Sequence, residues 1–257
     1  MKEFKSDSCL KCGTATNHFV FCEDCTPHYG QAVTVYENNL KKYLTLFIGS
    51  IPFFSVIASR LSGHLPVKWW MGTDALTMWA MPPGKSKTLV LLHRIKMRLL
   101  KPLIFQHWVT GPRLLEDLEK SGTLKMDEVL VAYWPGKYHT ISEKKQHDGF
   151  NILYYDPLDT EFQRWKYGID IIAKIKEQVS DVNWIKADGT QDMKELYTIT
   201  DLYIRPSRHD GEPRINVECK VNRIPVIYSE DGNPSVEQFV KEINLIKKNR
   251  HDPSLKQ

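Results

Sequence analysis

The sequence predicts an α/β protein of two Rossmann-like parallel-sheet domains behind a small cysteine-rich unit. Three observations predict it. From about residue 40 apolar runs alternate with amphipathic stretches, a polar turn-rich segment interrupts them, and the same rhythm restarts. A chain of 257 residues suits two small domains. Four of its five cysteines fall before residue 26. With 42% hydrophobic and 26% charged residues, the composition excludes a wholly disordered chain and a coiled coil. A net charge of +4 permits a phosphate-rich partner without demanding one.

Residues 1–30 are rich in Cys, His and turn formers. Cys9, Cys12, Cys22 and Cys25 make a CxxC-x9-CxxC set. The opening MKEFKSDS has no apolar segment of the export type, which points to a reducing cytoplasm and makes disulfides a poor reading. Four thiolates in tetrahedral geometry suit a structural Zn²⁺, and a closed four-Cys site carries no catalysis. A redox CxxC pair is the other reading, although it leaves the second pair without a role. His18 and His28 read as bystanders.

Residues 31–135 read as the first domain. Residues 43–49 are an apolar strand and 51–61 an amphipathic helix. That region is the most apolar in the chain, but Gly49, Ser50, Pro52, Ser55, Ser59 and Arg60 make it a strand, turn and helix rather than a membrane span. Residues 66–71 are a strand ending at Gly72-Thr73-Asp74, and Pro82-Pro83-Gly84 is a break. Residues 85–101 form a long basic helix, 104–109 a strand, 112–120 a helix with Pro in its first turn, and 128–132 a short strand.

Residues 136–149 read as a linker and 150–248 as the second domain, before a tail at 249–257. Strands are expected at 151–155, 182–187, 202–205 and 225–228. Helices are expected at 167–179, 193–198, 215–222 and 235–248, the last with Ser235 as N-cap. Two such domains with a cleft between them put ligands at the carboxyl ends of the strands.

The chemistry concentrates in residues 201–228, DLYIRPSRHDGEPRINVECKVNRIPVIY. A buried strand runs into a loop holding Arg205, Ser207, Arg208, His209, Asp210, Gly211, Glu212 and Arg214, just before a helix. Helix N-termini suit phosphate or pyrophosphate, arginines add bidentate contacts, and nearby acids accept hydrogen bonds from sugar hydroxyls. The plainer reading is a salt-bridged loop that ties two strands together. Cys219, inside the helix, reads as a packed thiol.

This run resembles the donor-binding signature of GT-B glycosyltransferases, in particular the retaining, family 4-like group with two acids seven residues apart. Asp210 and Glu218 stand at that spacing, and Pro225-Val226-Ile227 follows at the expected offset. Leu196-Tyr197, the stretch from Asp201 to Ser207, and Tyr167-Gly168-Ile169-Asp170 resemble further parts of the same domain. Residues 40–135 match loosely, through Trp70-Met71-Gly72-Thr73-Asp74 and Val109-Thr110-Gly111-Pro112-Arg113-Leu114, and residues 1–30 have no counterpart.

The resemblance implies a nucleoside diphosphate sugar, such as a UDP-sugar, as donor, transfer with retention, and no catalytic metal. It implies that Glu218 binds the ribose hydroxyls, that Asp210 faces the sugar ring, and that the amides of Gly211, Glu212 and Arg214 line the diphosphate pocket, with Arg205, Arg208 and His209 beside them. The family's Arg and Lys after the first strand of this domain are replaced here by Asp156-Pro157-Leu158-Asp159, and Arg164 and Lys166 are the nearest substitutes. Asp at position 210 shortens the usual Glu by one methylene. For the acceptor side the candidate is Asp74, whose alternative role is capping the following helix.

The helix at 85–101 carries six Lys or Arg and no acid. Arg94, Arg98 and Lys101 fall on one stripe, with Leu and Ile opposite. A solvated face, a track for phosphates and a contact with an anionic membrane are the readings of it. Trp69, Trp70, Trp79 and Trp108 read mostly as core. Compact size, the cysteine unit and the basic helix resemble small viral glycosyltransferases that modify DNA, with a hydroxymethylated pyrimidine as acceptor, flipped out of the duplex. A surface-glycan or lipid-linked acceptor is the second reading, and a non-catalytic, nucleic-acid-binding GT-B fold the third.

Overall fold

The computed structural model describes residues 2–3, 9, 31–37, 41–132, 138–157, 160–210, 213–229 and 232–250. The chain divides into two compact units, Met1–Lys137 and Tyr138–Gln257. Cys12, Cys22 and Cys25 lie outside the described residues, as do Gly211 and Glu212.

The first unit holds β1 (Lys2–Glu3), β2 (Ala32–Glu37), β3 (Lys42–Ile48), β4 (Leu65–Trp70), β5 (Gln106–Val109) and β6 (Val129–Val131), with α1 (Phe53–Leu61), α2 (Thr73–Leu76), α3 (Lys87–Leu100) and α4 (Pro112–Lys120) between them. The sheet order is β1-β6-β5-β4-β3-β2. All pairs are parallel except β2, which runs antiparallel along β3. From β3 to β6 each new strand is added on the same side. Right-handed crossovers then put every helix on one face. One core cluster bears this out, because Val56 of α1, Ala75 of α2, Met97 and Leu100 of α3, and Leu114 and Leu118 of α4 pack together against Phe47, Trp70 and Val131. The other face buries Leu44, Leu46, Val67, Trp69 and Trp108, with Cys9 among them.

The alternation along β4 turns Val67 and Trp69 to one face and Lys68 and Trp70 to the other. Lys68 is fully buried beneath the helices. Its ammonium donates to the Gly49 carbonyl, to the Trp69 carbonyl at 3.2 Å and to Asp74 Oδ2. Burial pushes the Lys68 ammonium down from its usual range, against the pull of Asp74. Beside it, Trp70 Nε1 donates to His107 Nδ1 at 3.2 Å. An indole nitrogen can only donate, so neutral His107 carries its proton on Nε2.

The second unit holds β7 (Asn151–Tyr155), β8 (Asn183–Ala187), β9 (Leu202–Arg205) and β10 (Val226–Tyr228), with α5 (Glu161–Lys166), α6 (Ile169–Gln178), α7 (Met193–Ile199), α8 (Arg214–Val221) and α9 (Val236–Arg250). All four strands are parallel, in the order β10-β9-β7-β8. Here helices cover both faces. Ile171 and Ile175 of α6 and Phe239 and Ile243 of α9 pack on Ile152, Leu202 and Ile204. Tyr197 of α7 and Cys219 of α8 pack on Leu153 and Tyr203. The strand order reverses between β7 and β9, and the carboxyl end of that pair is where doubly wound sheets bind ligands. Residues 138–147 belong to this unit. The Ile141 amide donates to Asn222 Oδ1 at 2.8 Å, and the Lys145 amide to the Thr198 carbonyl at 2.9 Å.

Burial, with Lys68 and Lys101 nearby, pushes the His107 imidazole down to about 3. The unfolded chain takes up a proton near pH 6.5 that the folded chain refuses until about pH 3, so stability falls as pH drops through that window. Denaturant titrations of His107→Gln are expected to show a pH slope shallower than the parent's by up to about 1.4 kcal/mol per pH unit.

Candidate functional site

The candidate site forms where β7 and β9 end. Arg205, the last residue of β9, is buried. Its Nη1 donates to the Tyr203 hydroxyl at 3.0 Å and its Nε to Asp210 Oδ2 at 2.8 Å, with Nη2 on the same oxygen. The guanidinium also lies over the ring of Tyr167, 4.5 Å from its centroid. Burial opposes the charge of each partner, but mutual attraction outweighs it. Asp210 is held below the usual carboxylate range by Arg205 and Lys166, and Arg205 well above its own. Burial and the neighbouring Glu218 push the Tyr197 hydroxyl well up, so Tyr197 acts as a donor.

Lys166 ends α5 and is 7% exposed. Its ammonium lies 5.0 Å from the Tyr167 ring centroid, and its carbonyl accepts the Arg208 amide at 2.9 Å. Among the described residues no carboxylate approaches it within 4.0 Å. Ser207, two residues beyond β9, is fully buried, and its Oγ has no hydrogen-bond partner among the described residues. The Oδ1 of buried Asn216, in the first turn of α8, also lacks one. His209 is buried beside these groups. A buried hydroxyl without a bond is costly as it stands.

Glu218, on α8, is 1% exposed. Its Oε2 accepts the Tyr197 hydroxyl at 2.6 Å, and its Oε1 accepts Arg214 Nε at 2.8 Å and the His139 amide at 3.0 Å. Arg164 donates to Asp156 Oδ1 at 2.8 Å, at the end of β7. Arg208 grips both oxygens of Asp170 at 2.7 and 2.6 Å and donates to the Trp165 carbonyl at 2.8 Å. The site therefore gathers Arg205, Asp210, Lys166 and Ser207, while Arg164 and Arg208 are engaged with acids of the same unit.

Asp74 lies in the first unit, buried at the carboxyl edge of β4. Gly72, not Asp74, caps α2, and Asp74 stands in the first turn. Its Oδ1 accepts the Met71 amide at 3.0 Å, its Oδ2 bonds Lys68, and its carbonyl bonds His93 Nε2 at 3.2 Å. Among the described residues no three His, Cys, Asp or Glu side chains gather to hold a metal ion. Sequence reasoning missed Lys68, His93, Asp156, His139 and Tyr203. His139 reaches Glu218 across 79 residues, a separation that no local pattern carries.

No protein-family model and no curated protein match the sequence. Solved structures match in fold. HepE of Anabaena, solved with UDP-glucose, superposes with a TM-score of 0.53 at 14% identity, over 76% of this chain and 66% of its own. WaaB, a lipopolysaccharide outer core galactosyltransferase, gives 0.52 at 12% identity, over 81% and 67%. TarM of S. aureus, solved with UDP, gives 0.52 at 9% identity, over 72% and 44%. These likenesses define the class of fold, the α/β architecture of GT-B glycosyltransferases. The chain spans less than two thirds of the HepE structure and less than half of TarM.

Gly168 joins α5 to α6 with φ of 70°, and a Cβ there would stand 2.0 Å from the Pro206 carbonyl oxygen. Gly168→Ala is expected to lose about 3 kcal/mol of stability, from left-handed strain plus overpacking, read as a lower denaturant midpoint.

Proposed function

We propose that the protein is a glycosyltransferase that takes its sugar from a nucleoside diphosphate sugar. The observation that carries this reading is a cation and an unmet hydroxyl at the switch point, the Lys166 ammonium over the Tyr167 ring and the buried Ser207 Oγ, which has no hydrogen-bond partner among the described residues. A diphosphate offers acceptors to both. Charge that develops on the leaving phosphate would meet Lys166 and Arg205, without a metal. Glu218 takes the ribose hydroxyls and Asp210 faces the sugar, with Arg214 at the start of α8 and His209 beside them; Gly211 and Glu212, outside the described residues, are assigned to the diphosphate from the sequence alone. In the transfer the bond from the anomeric carbon to phosphate breaks, an acceptor oxygen forms the new one with retention, and its proton goes to solvent with the diphosphate. Arg164 and Arg208 are positioning residues, which hold Asp156 and α6 in place. The UDP complexes of HepE and TarM support a uridine nucleotide as the first donor to try.

For the acceptor, a hydroxymethylated pyrimidine in DNA remains a proposal and needs a cationic track. In α3, however, Arg94 turns inward to the carbonyls of Thr77 and Ala80 at 2.8 and 2.7 Å, and Lys96 to that of Ile51 at 3.0 Å. Two of its cations are thus used within the fold, which favours the second reading, a glycan or lipid-linked acceptor. Asp74 is the acceptor-side residue of either reading. Since Lys68 and the Met71 amide hold its carboxylate, its part is to position that sheet edge.

Calorimetric titration with UDP-glucose and other nucleotide sugars tests the donor. Lys166→Met and Glu218→Gln are each expected to weaken binding by about tenfold to a hundredfold. A folded protein that binds no nucleotide sugar overturns the reading. Mass detection of sugar on hydroxymethylated DNA, set against lipid-linked glycans, distinguishes the acceptors.

The cysteine unit is proposed to hold a structural Zn²⁺ on Cys9, Cys12, Cys22 and Cys25. Metal analysis of the purified chain is expected to find about one zinc, lost in Cys12→Ser.

A further inference from the structure

The solvent-facing side of α3 is apolar. Leu91, Leu92, Ile95 and Leu99 are 56%, 55%, 45% and 60% exposed, while Val90, Met97 and Leu100 are buried on the opposite side. At 3.6 residues per turn the four exposed side chains form one stripe along the helix. The neighbouring α1 adds Phe54 and Leu61 at 81% and 84% exposed. By contrast α4, on the same face of the same sheet, exposes Glu116, Glu119 and Lys120. A helix that is apolar on its core side and again on its outer side calls for a second apolar partner.

The charges beside the stripe identify it. Lys87 and Arg98 are exposed on its flank, Lys85 precedes the helix, and no acid occurs between residues 85 and 101. A second copy of this chain, packed through the same stripe, would set one cationic flank beside another. A nucleic acid would meet leucines where it needs cations. A bilayer with anionic headgroups satisfies both features, taking the leucines into the acyl boundary and the cations at the headgroups.

We propose that α3, with Phe54 and Leu61 of α1, docks the protein in-plane on an anionic lipid bilayer. No helix among the described residues is long and apolar enough to cross a membrane, so the contact is interfacial. The inference does not rest on the donor reading, and its test needs no catalysis.

The full chain is sedimented with vesicles of phosphatidylglycerol and phosphatidylcholine, and with phosphatidylcholine alone. Binding is expected to the mixed vesicles, falling as salt rises, and to be much weaker to phosphatidylcholine. Leu91→Ser and Ile95→Ser are each expected to weaken partition about tenfold. Lys87→Gln and Arg98→Gln are each expected to weaken it about fivefold. These exposed substitutions should leave the denaturant midpoint and far-ultraviolet circular dichroism of the chain unchanged, which shows that the variants are folded. The proposal is overturned if the wild-type chain stays in the supernatant, or if the leucine variants sediment as well as the parent. It is equally overturned if the wild-type chain is a dimer that Ile95→Ser dissociates without vesicles present, which would assign the stripe to a second copy.

Discussion

Arg205 sits where water cannot hold it. A guanidinium is never discharged, so a buried one must be surrounded by groups that accept its donors. Here Tyr203 on its own strand, Asp210 in the following loop and the face of Tyr167 do so together. Each of those contacts constrains another segment. The loop after β9 is fastened by Asp210, the α5–α6 junction is pressed against it through Tyr167, and Gly168 closes the fit by letting the Pro206 carbonyl approach. Lys166 and Ser207 are carried into the same corner by that closure.

Glu218 organises the opposite side of the same sheet. Its carboxylate receives Tyr197 from α7, Arg214 from its own helix and the His139 amide from the segment before β7. Asn222, one turn further along α8, donates to the His139 carbonyl at 2.7 Å and accepts the Ile141 amide.

Much of the second unit was legible from residue order alone, because a parallel strand, a polar loop and a helix start are local patterns. The loop of Arg205 to Arg214 announced itself by charge density, and the structure brings Arg205 and Asp210 together as one buried pair. Other features were not legible. The edge strand β2 pairs antiparallel with β3, outside the βα rhythm. The one-way winding of the first sheet depends on which side each strand joins, and no local pattern records it. In α3 the sequence shows a basic stripe opposite an apolar one, yet carbonyls of Thr77, Ala80 and Ile51 draw Arg94 and Lys96 inward and leave leucines outside. Helical periodicity states which residues share a face but not which face the tertiary fold chooses.

Lys68 makes the same point for the first unit and decides what Asp74 can do. A lysine inside the strand LPVKWW looks like an edge residue, but β4 lies between β3 and β5 and its helix face is closed over. The ammonium then needs acceptors, and it finds the Gly49 carbonyl at the end of β3 and the carboxylate of Asp74. Taking Asp74 away to serve as a base would leave a fully buried cation with only carbonyls, a loss on the order of 3–5 kcal/mol. The pair instead locks the turns after β3 and β4 to one another, and His93 reads that lock through the Asp74 carbonyl. The carboxyl edge of this sheet is thus braced from below by a buried ion pair, whose geometry Asp74 fixes.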